Sequence, residues 1–176
     1  MKIEKIAPVW MAAAMMAVLP LKAQEWELVW SDEFDGTELD ISKWSCQTGT
    51  GTEYGLQDWG NNEEQYYREE NVAVEEGNLV ITARRQSYGG KGYTSGRIRT
   101  IGKGDWKYGR VEFRAKMPVG QGLWAAIWML PTDEVYGGWA ASGEIDLMEY
   151  LGHERSTVHE TLHFGGEWRY NQYRDT

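Results

Sequence analysis

Cysteine is nearly absent: Cys46 is the single one in 176 residues. A lone cysteine makes no internal disulfide, and it excludes a cysteine-based zinc cluster. Basic charge is scarce too. Eighteen Lys and Arg stand against 27 Asp and Glu, a net charge of −9. That balance argues against nucleic acid or an anionic membrane surface as the partner. No long 3.6-residue apolar stripe appears after Glu25, so extended amphipathic helices are not expected. Internal repeats and low-complexity linkers are also missing, and the length suits one domain. What the chain has in excess is Trp and Tyr, ten of each against three Phe. These rings combine a flat apolar face with a polar tip, which suits stacking on an amphipathic ligand.

The one long apolar run lies at the N-terminus. Lys2 and Lys5 precede a nearly unbroken stretch from Ile6 to Leu21, and Leu21-Lys22-Ala23 closes it. This is the pattern of a secretory signal over residues 1–23, which implies a secreted or periplasmic domain over 24–176. No Cys follows that would take a lipid. An uncleaved anchor is the alternative, but the run contains Pro8 and Pro20 and is short for a membrane span. Cleavage removes Lys2, Lys5, Lys22 and Glu4, moving the net charge from −9 to −11.

The rest reads as short strands punctuated by Gly, Asn and Asp, the signature of an all-β sandwich or barrel. Strands are expected at 26–30, 78–83, 93–100, 110–116, 123–130, 143–151 and 157–164, with Glu76-Gly77 turning a hairpin and 49–62 forming the longest loop. Along 157–164 the parity sets Val158, Glu160, Leu162 and Phe164 against Thr157, His159, Thr161 and His163. Along 123–130, Trp124 and Trp128 share a face. They read as ordinary core or as a stacking platform, and spacing alone favours core.

The segment Gly143-Glu144-Ile145-Asp146-Leu147-Met148-Glu149-Tyr150 carries the most chemistry. Three acids in six residues of an apolar strand are costly to bury without purpose. Glu144 and Asp146 share a face. Glu149 joins them only if a β-bulge absorbs one residue; otherwise Met148 takes that side. With the bulge, Glu144 and Glu149 are roughly 13 Å apart along the strand, and inward-leaning side chains can close the carboxyls to about 5–5.5 Å. Such a pair suits retaining glycoside hydrolysis, with one carboxylate as nucleophile and one carboxylic acid as proton donor, their pKa values pushed apart by proximity. Asp146 between them can tune a coupled titration. A solvated acidic edge strand is the competing reading and needs no bulge.

This segment resembles the catalytic signature of family 16 of the glycoside hydrolases, in its laminarinase-like branch. The likeness extends in order through LVWSDEFDG (28–36), WGNNEEQYY (59–67), NLVITARR (78–85), YTSGRI (93–98), YGRVEFRAKMP (108–118), GLWAAIWMLP (122–131) and TLHFGGEW (161–168). The resemblance implies a β-jelly roll of two curved antiparallel sheets with a concave substrate cleft. It implies retaining endo-hydrolysis of β-1,3 bonds in a β-glucan such as laminarin. By position, Glu144 corresponds to the nucleophile, Asp146 to the assisting aspartate and Glu149 to the general acid/base. Trp139, Trp128 and Trp124 correspond to sugar-stacking rings, which reverses the core reading of the last two. His163, Arg97 and Asn62 correspond to polar cleft residues, although Arg97 also reads as a sheet-face charge and Asn62 as a turn residue. Trp26, Trp30, Trp44 and Trp106 are then expected in the core. No catalytic cofactor or metal is implied. A structural Ca2+ is, with Glu33 and Gly77 on its N-terminal side. The implied partner is a polysaccharide, with no nucleic acid, no membrane after signal cleavage, and a monomeric state. Mixed-linkage glucan, agar or carrageenan, or glucan binding without catalysis, are the alternatives.

Within this likeness Glu64 and the run Ala125-Ala126-Ile127 depart from the usual residues. The family's domain also continues well past the last matching segment. The expectation is therefore an incomplete domain lacking its C-terminal strands, poorly folded and weakly active by itself.

Overall fold

The structure is a computed structural model and describes residues 26–167 and 169–176. The proposed signal segment lies outside the described residues, as does Trp168. The chain divides at Ser31, with Asp32–Thr176 forming the larger unit. In the smaller unit, residues 26–31 carry no strand, contrary to the expectation at 26–30.

The larger unit is all-β, a jelly-roll sandwich whose described residues include no α-helix. Its strands are β1 (Ser45–Cys46), β2 (Gln65–Tyr67), β3 (Val72–Glu75), β4 (Asn78–Ile81), β5 (Arg84–Tyr88), β6 (Lys91–Ser95), β7 (Ile98–Arg99), β8 (Trp124–Met129), β9 (Glu144–Leu151), β10 (His159–Phe164) and β11 (Gln172–Asp175). They form sheets in the orders β11-β10-β9-β8, β2-β6-β5, β1-β7 and β3-β4. The pairings are antiparallel except β2 with β6.

Local chemistry explains the elements that were expected. Glu75 pairs with Asn78, so Glu76 and Gly77 alone turn the β3–β4 hairpin. Both have positive φ, 51° and 72°, as a type I′ loop requires. The expected strand at 93–100 is split into β6 and β7 at Gly96-Arg97. There a side chain on Gly96 would meet Val72 Cγ2 at 2.5 Å, so the chain can pass only as glycine. Loop 49–62 contains two short 3-10 turns.

The segment 110–116 alternates as a strand should but joins no ladder among the described residues. Alternation marks two faces; a strand also needs a partner and a cover, and Val111 and Phe113 are half-exposed. Trp26 and Trp106 are likewise exposed rather than core.

Two polar side chains, Asn71 and Thr94, are buried beside β6. Asn71 Nδ2 donates to the Thr82 carbonyl (2.6 Å) and to Thr94 Oγ1 (3.1 Å), and Thr94 Oγ1 donates to Gln86 Oε1 (3.0 Å). Linking these groups lowers the cost of burying them.

Candidate active site

The site is built on the four-stranded sheet, and its geometry begins with a fault in β9. On β8, Ile127 pairs with Met148 and Trp128, the next residue, pairs with Asp146. On β10, His159 pairs with Glu149 and Thr161 with Asp146. One residue of β9 is therefore extra on both sides, a β-bulge at 147–148. Alternation restarts beyond it. Met148 and Tyr150 become buried on the face of Ala125 and Ile127, while Glu149 turns to the other face. Glu144, Asp146 and Glu149 thus share one side with Trp124, Ala126 and Trp128 of β8, and with His159, Thr161 and His163 of β10. The acidic edge-strand reading fails because β9 is an interior strand and Asp146 is buried.

Glu144 enters from a tight turn. Gly143 has φ 91°, and its N–H donates to the Ala140 carbonyl. The same turn presents Trp139, whose indole Nε1–H donates to Glu144 Oε2 at 2.6 Å. His163, directly opposite Glu144 in register, places Nε2 3.2 Å from Asp146 Oδ2 and 3.9 Å from Glu144 Oε1. Its ring lies 5.3 Å from Trp139 and 6.2 Å from Tyr173. From β8, Trp124 Nε1–H donates to Glu149 Oε1 at 3.0 Å.

These contacts act on the acids. Burial lifts Glu144 to about 7, the Asp146 charge adds to the rise, and the Trp139 N–H opposes it. Burial also raises Asp146, opposed by His163. Glu149 is raised by burial and then by Asp146, and pulled back by the Trp124 hydrogen bond. Glu144 and Asp146 interact closely enough to titrate as a pair that retains one proton near neutral pH, leaving the other carboxylate anionic.

Arg97 lies in the gap between β6 and β7. Its guanidinium carbon is 4.5 Å from the Trp59 ring centre, 4.8 Å from Trp128 and 5.9 Å from Tyr67. Its Nε–H donates to Gln47 Oε1 at 2.9 Å. It is thus packed among rings, not a bare charge on a sheet face. Asn62 is an exposed residue with φ 56°, and no hydrogen bond ties it to the carboxylates among the described residues.

The structure therefore brings Glu144, Asp146, Glu149, Trp139, Trp124 and His163 into direct contact or one face, joins Arg97 to Trp128, and leaves Asn62 apart. Sequence reasoning missed Trp59, Tyr67 and Gln47 around Arg97. Gln47 carried no signal, because its place depends on a loop folding against β7. His159 was also passed over, although its parity with His163 put it on the same face.

Glu144, Asp146 and His163 hold ligand atoms within 4.8 Å of one another, close enough to share a cation. Glu33, which the resemblance sets on the N-terminal side of a structural Ca2+, lies outside that cluster.

Comparison with known proteins bears on the family and the fold. The sequence profile "Glycosyl hydrolases family 16" matches residues 59–176. A "Glucan endo-1,3-beta-glucosidase A1" of Niallia circulans is 49% identical over 156 residues, covering 82% of this chain and 23% of that protein. A "Beta-glucanase" of Rhodothermus marinus is 50% identical over 148 residues, covering 81% and 50% respectively. The solved catalytic domain of an endo-1,3-beta-glucanase (laminarinase) from Thermotoga petrophila superimposes with a TM-score of 0.79 at 43% identity, covering 88% of this chain and 63% of that one. The chain thus spans half or less of these curated relatives. A profile match over most of the chain, close identity to the named relatives and a shared fold lead to one assignment: the chain belongs to family 16 of the glycosyl hydrolases.

Proposed function

We propose that this chain is catalytic sequence from a retaining endo-β-1,3-glucanase acting on laminarin-like β-glucan. The observation that carries the reading is the bulge at 147–148, which turns Glu149 onto the face of Glu144 and Asp146. The names of the relatives support the substrate class.

In this reading Glu144, as carboxylate, attacks the anomeric carbon while Glu149 gives its proton to the departing glycosidic oxygen. The Trp139 N–H holds Glu144 Oε2 and orients the attacking group. Asp146 takes up the proton shared with Glu144, so the nucleophile is anionic when it acts. In the second step Glu149 removes a proton from water, the water oxygen attacks the anomeric carbon, and the bond from that carbon to Glu144 breaks, releasing its carboxylate. Two inversions give net retention. Trp139, Trp128 and Trp124 supply stacking surface, and His163, Arg97 and Asn62 supply polar contacts to the sugar. The protein acts outside the cytoplasm, after loss of residues 1–23.

The test is sugar release from laminarin, lichenan, agarose and carrageenan. Laminarin is expected to be cleaved fastest, and Glu144→Gln to abolish release while leaving binding intact. Undiminished turnover in that variant overturns the nucleophile. Release from agarose or carrageenan alone overturns the substrate, and glucan binding without release by the unmutated protein overturns the catalytic reading.

A further inference from the structure

Glu149 faces the groups of three strands. From β8 comes the indole of Trp124, with Ala126 directly opposite and no charge on that face. From its own strand come the Asp146 carboxylate and, farther along, Glu144. From β10 come His159, its register partner, and His163. His159 is itself turned toward Glu154, with Nε2 3.2 Å from Glu154 Oε2. Of these, the Trp124 N–H is the hydrogen-bond donor that reaches the carboxyl, at 3.0 Å on Oε1.

We propose that Trp124 is a positioning residue for Glu149: its indole N–H occupies Oε1, so the proton transferred in catalysis is carried on Oε2. The inference rests on the acid/base role given to Glu149 above and concerns how that role is set. An N–H donor binds a carboxylate oxygen better than a protonated one, so the bond favours the charged form. It opposes the burial and the Asp146 charge that raise Glu149. Glu149 must release a proton in one step and recover it in the next, and a donor on one oxygen keeps both directions open. The bond also uses only the edge of the indole. The flat face of Trp124, a half-exposed residue, stays available to a sugar ring. A sugar lying on that face shields the bond from water and strengthens it.

The experiment follows the indole N–H resonance of Trp124 in the 176-residue chain, dilute enough to be monodisperse and with a dispersed amide spectrum in parent and variants, assigned by its loss in Trp124→Phe. Between pH 4 and 9 it is expected to shift as Glu149 ionises, and Glu149→Gln is expected to remove that titration. A resonance that ignores pH, or one that titrates unchanged in Glu149→Gln, overturns the proposal. These outcomes hold whether or not laminarin is cleaved, so they are separable from failure of the enzymatic reading. Where turnover is measured, Trp124→Phe is expected to move the alkaline limb of the kcat/KM profile to higher pH. It should lower kcat about tenfold and change KM less than about twofold, because the ring face is kept. A fall in kcat that is uniform with pH marks a merely structural part for Trp124 and also overturns the proposal.

Discussion

Glu144 holds its proton more tightly in the folded chain than a free glutamate does, because burial and Asp146 disfavour its charge. The folded value is about 7 and the ordinary one 4.5. Its contribution to stability is therefore complete below 4.5 and is lost as pH rises through 7, since folding binds a proton that the unfolded chain has released. Glu144→Gln removes the ionisation. The variant is expected to lose this part of the decline in stability between pH 4.5 and 8, and to exceed the parent above pH 7 by roughly 1–2 kcal/mol. That figure is reduced from the full shift because the carboxyl is partly exposed and shares its proton with Asp146. Urea unfolding at pH 5 and pH 8 checks it; parallel declines in both proteins refute it. Glu144 and Asp146 were legible in the sequence because three acids in an apolar strand are anomalous in any register. The Arg97 surroundings were not, because Gln47, Trp59 and Trp128 meet it from three segments that only the fold brings together.

Among the elements, β8, β9 and β10 were readable to within a residue or two. Each is a bounded apolar or alternating run, and each finds a ladder partner in the four-stranded sheet. The expectations at 26–30 and 110–116 failed because periodicity records the faces of a segment but not its pairing. The break at Gly96 was hidden because it depends on Val72, distant in sequence. The bulge of β9 gives the sharpest test at this scale. Deleting Met148 removes the extra residue and makes alternation regular, so Glu149 still shares the face of Asp146. Inserting one Ala after Met148 puts Glu149 on the apolar face. The deletion is expected to keep measurable hydrolysis, reduced about 10²-fold by displacement of the acid along the strand. The insertion is expected to abolish activity and to lower Tm by burying an unpaired carboxylate. Equal activity in the two would show that the face of Glu149 does not matter.

For the whole molecule, the side of the four-stranded sheet opposite the carboxylates is apolar and partly open. Ile145, Leu162 and Phe164 are 43%, 47% and 41% exposed. Contiguous open apolar surface drives association. The 176-residue chain is expected to enhance the fluorescence of an apolar dye and to self-associate in sedimentation. Leu162→Ser should weaken both, with a smaller loss of Tm than a fully buried leucine would show. A monodisperse chain that does not bind the dye would contradict this. The all-β class and the order of the segments were visible in the sequence. The division of the strands among four sheets was not, because pairings such as β1 with β7 and the parallel contact of β2 with β6 join segments far apart in the chain.

One of the two residues at the bulge is a thioether. Met148 is 5% exposed, so peroxide reaches it when β9 opens and is excluded while the strand stays paired. Sulfoxide formation there would put a polar, bulkier group against Ile127, on the apolar side of the sheet. The rate at which Met148 gains one oxygen is thus a clock for the opening of the strand that carries all three acids. The same reaction gives oxidative damage a direct route to the arrangement of Glu149, with no acid itself modified.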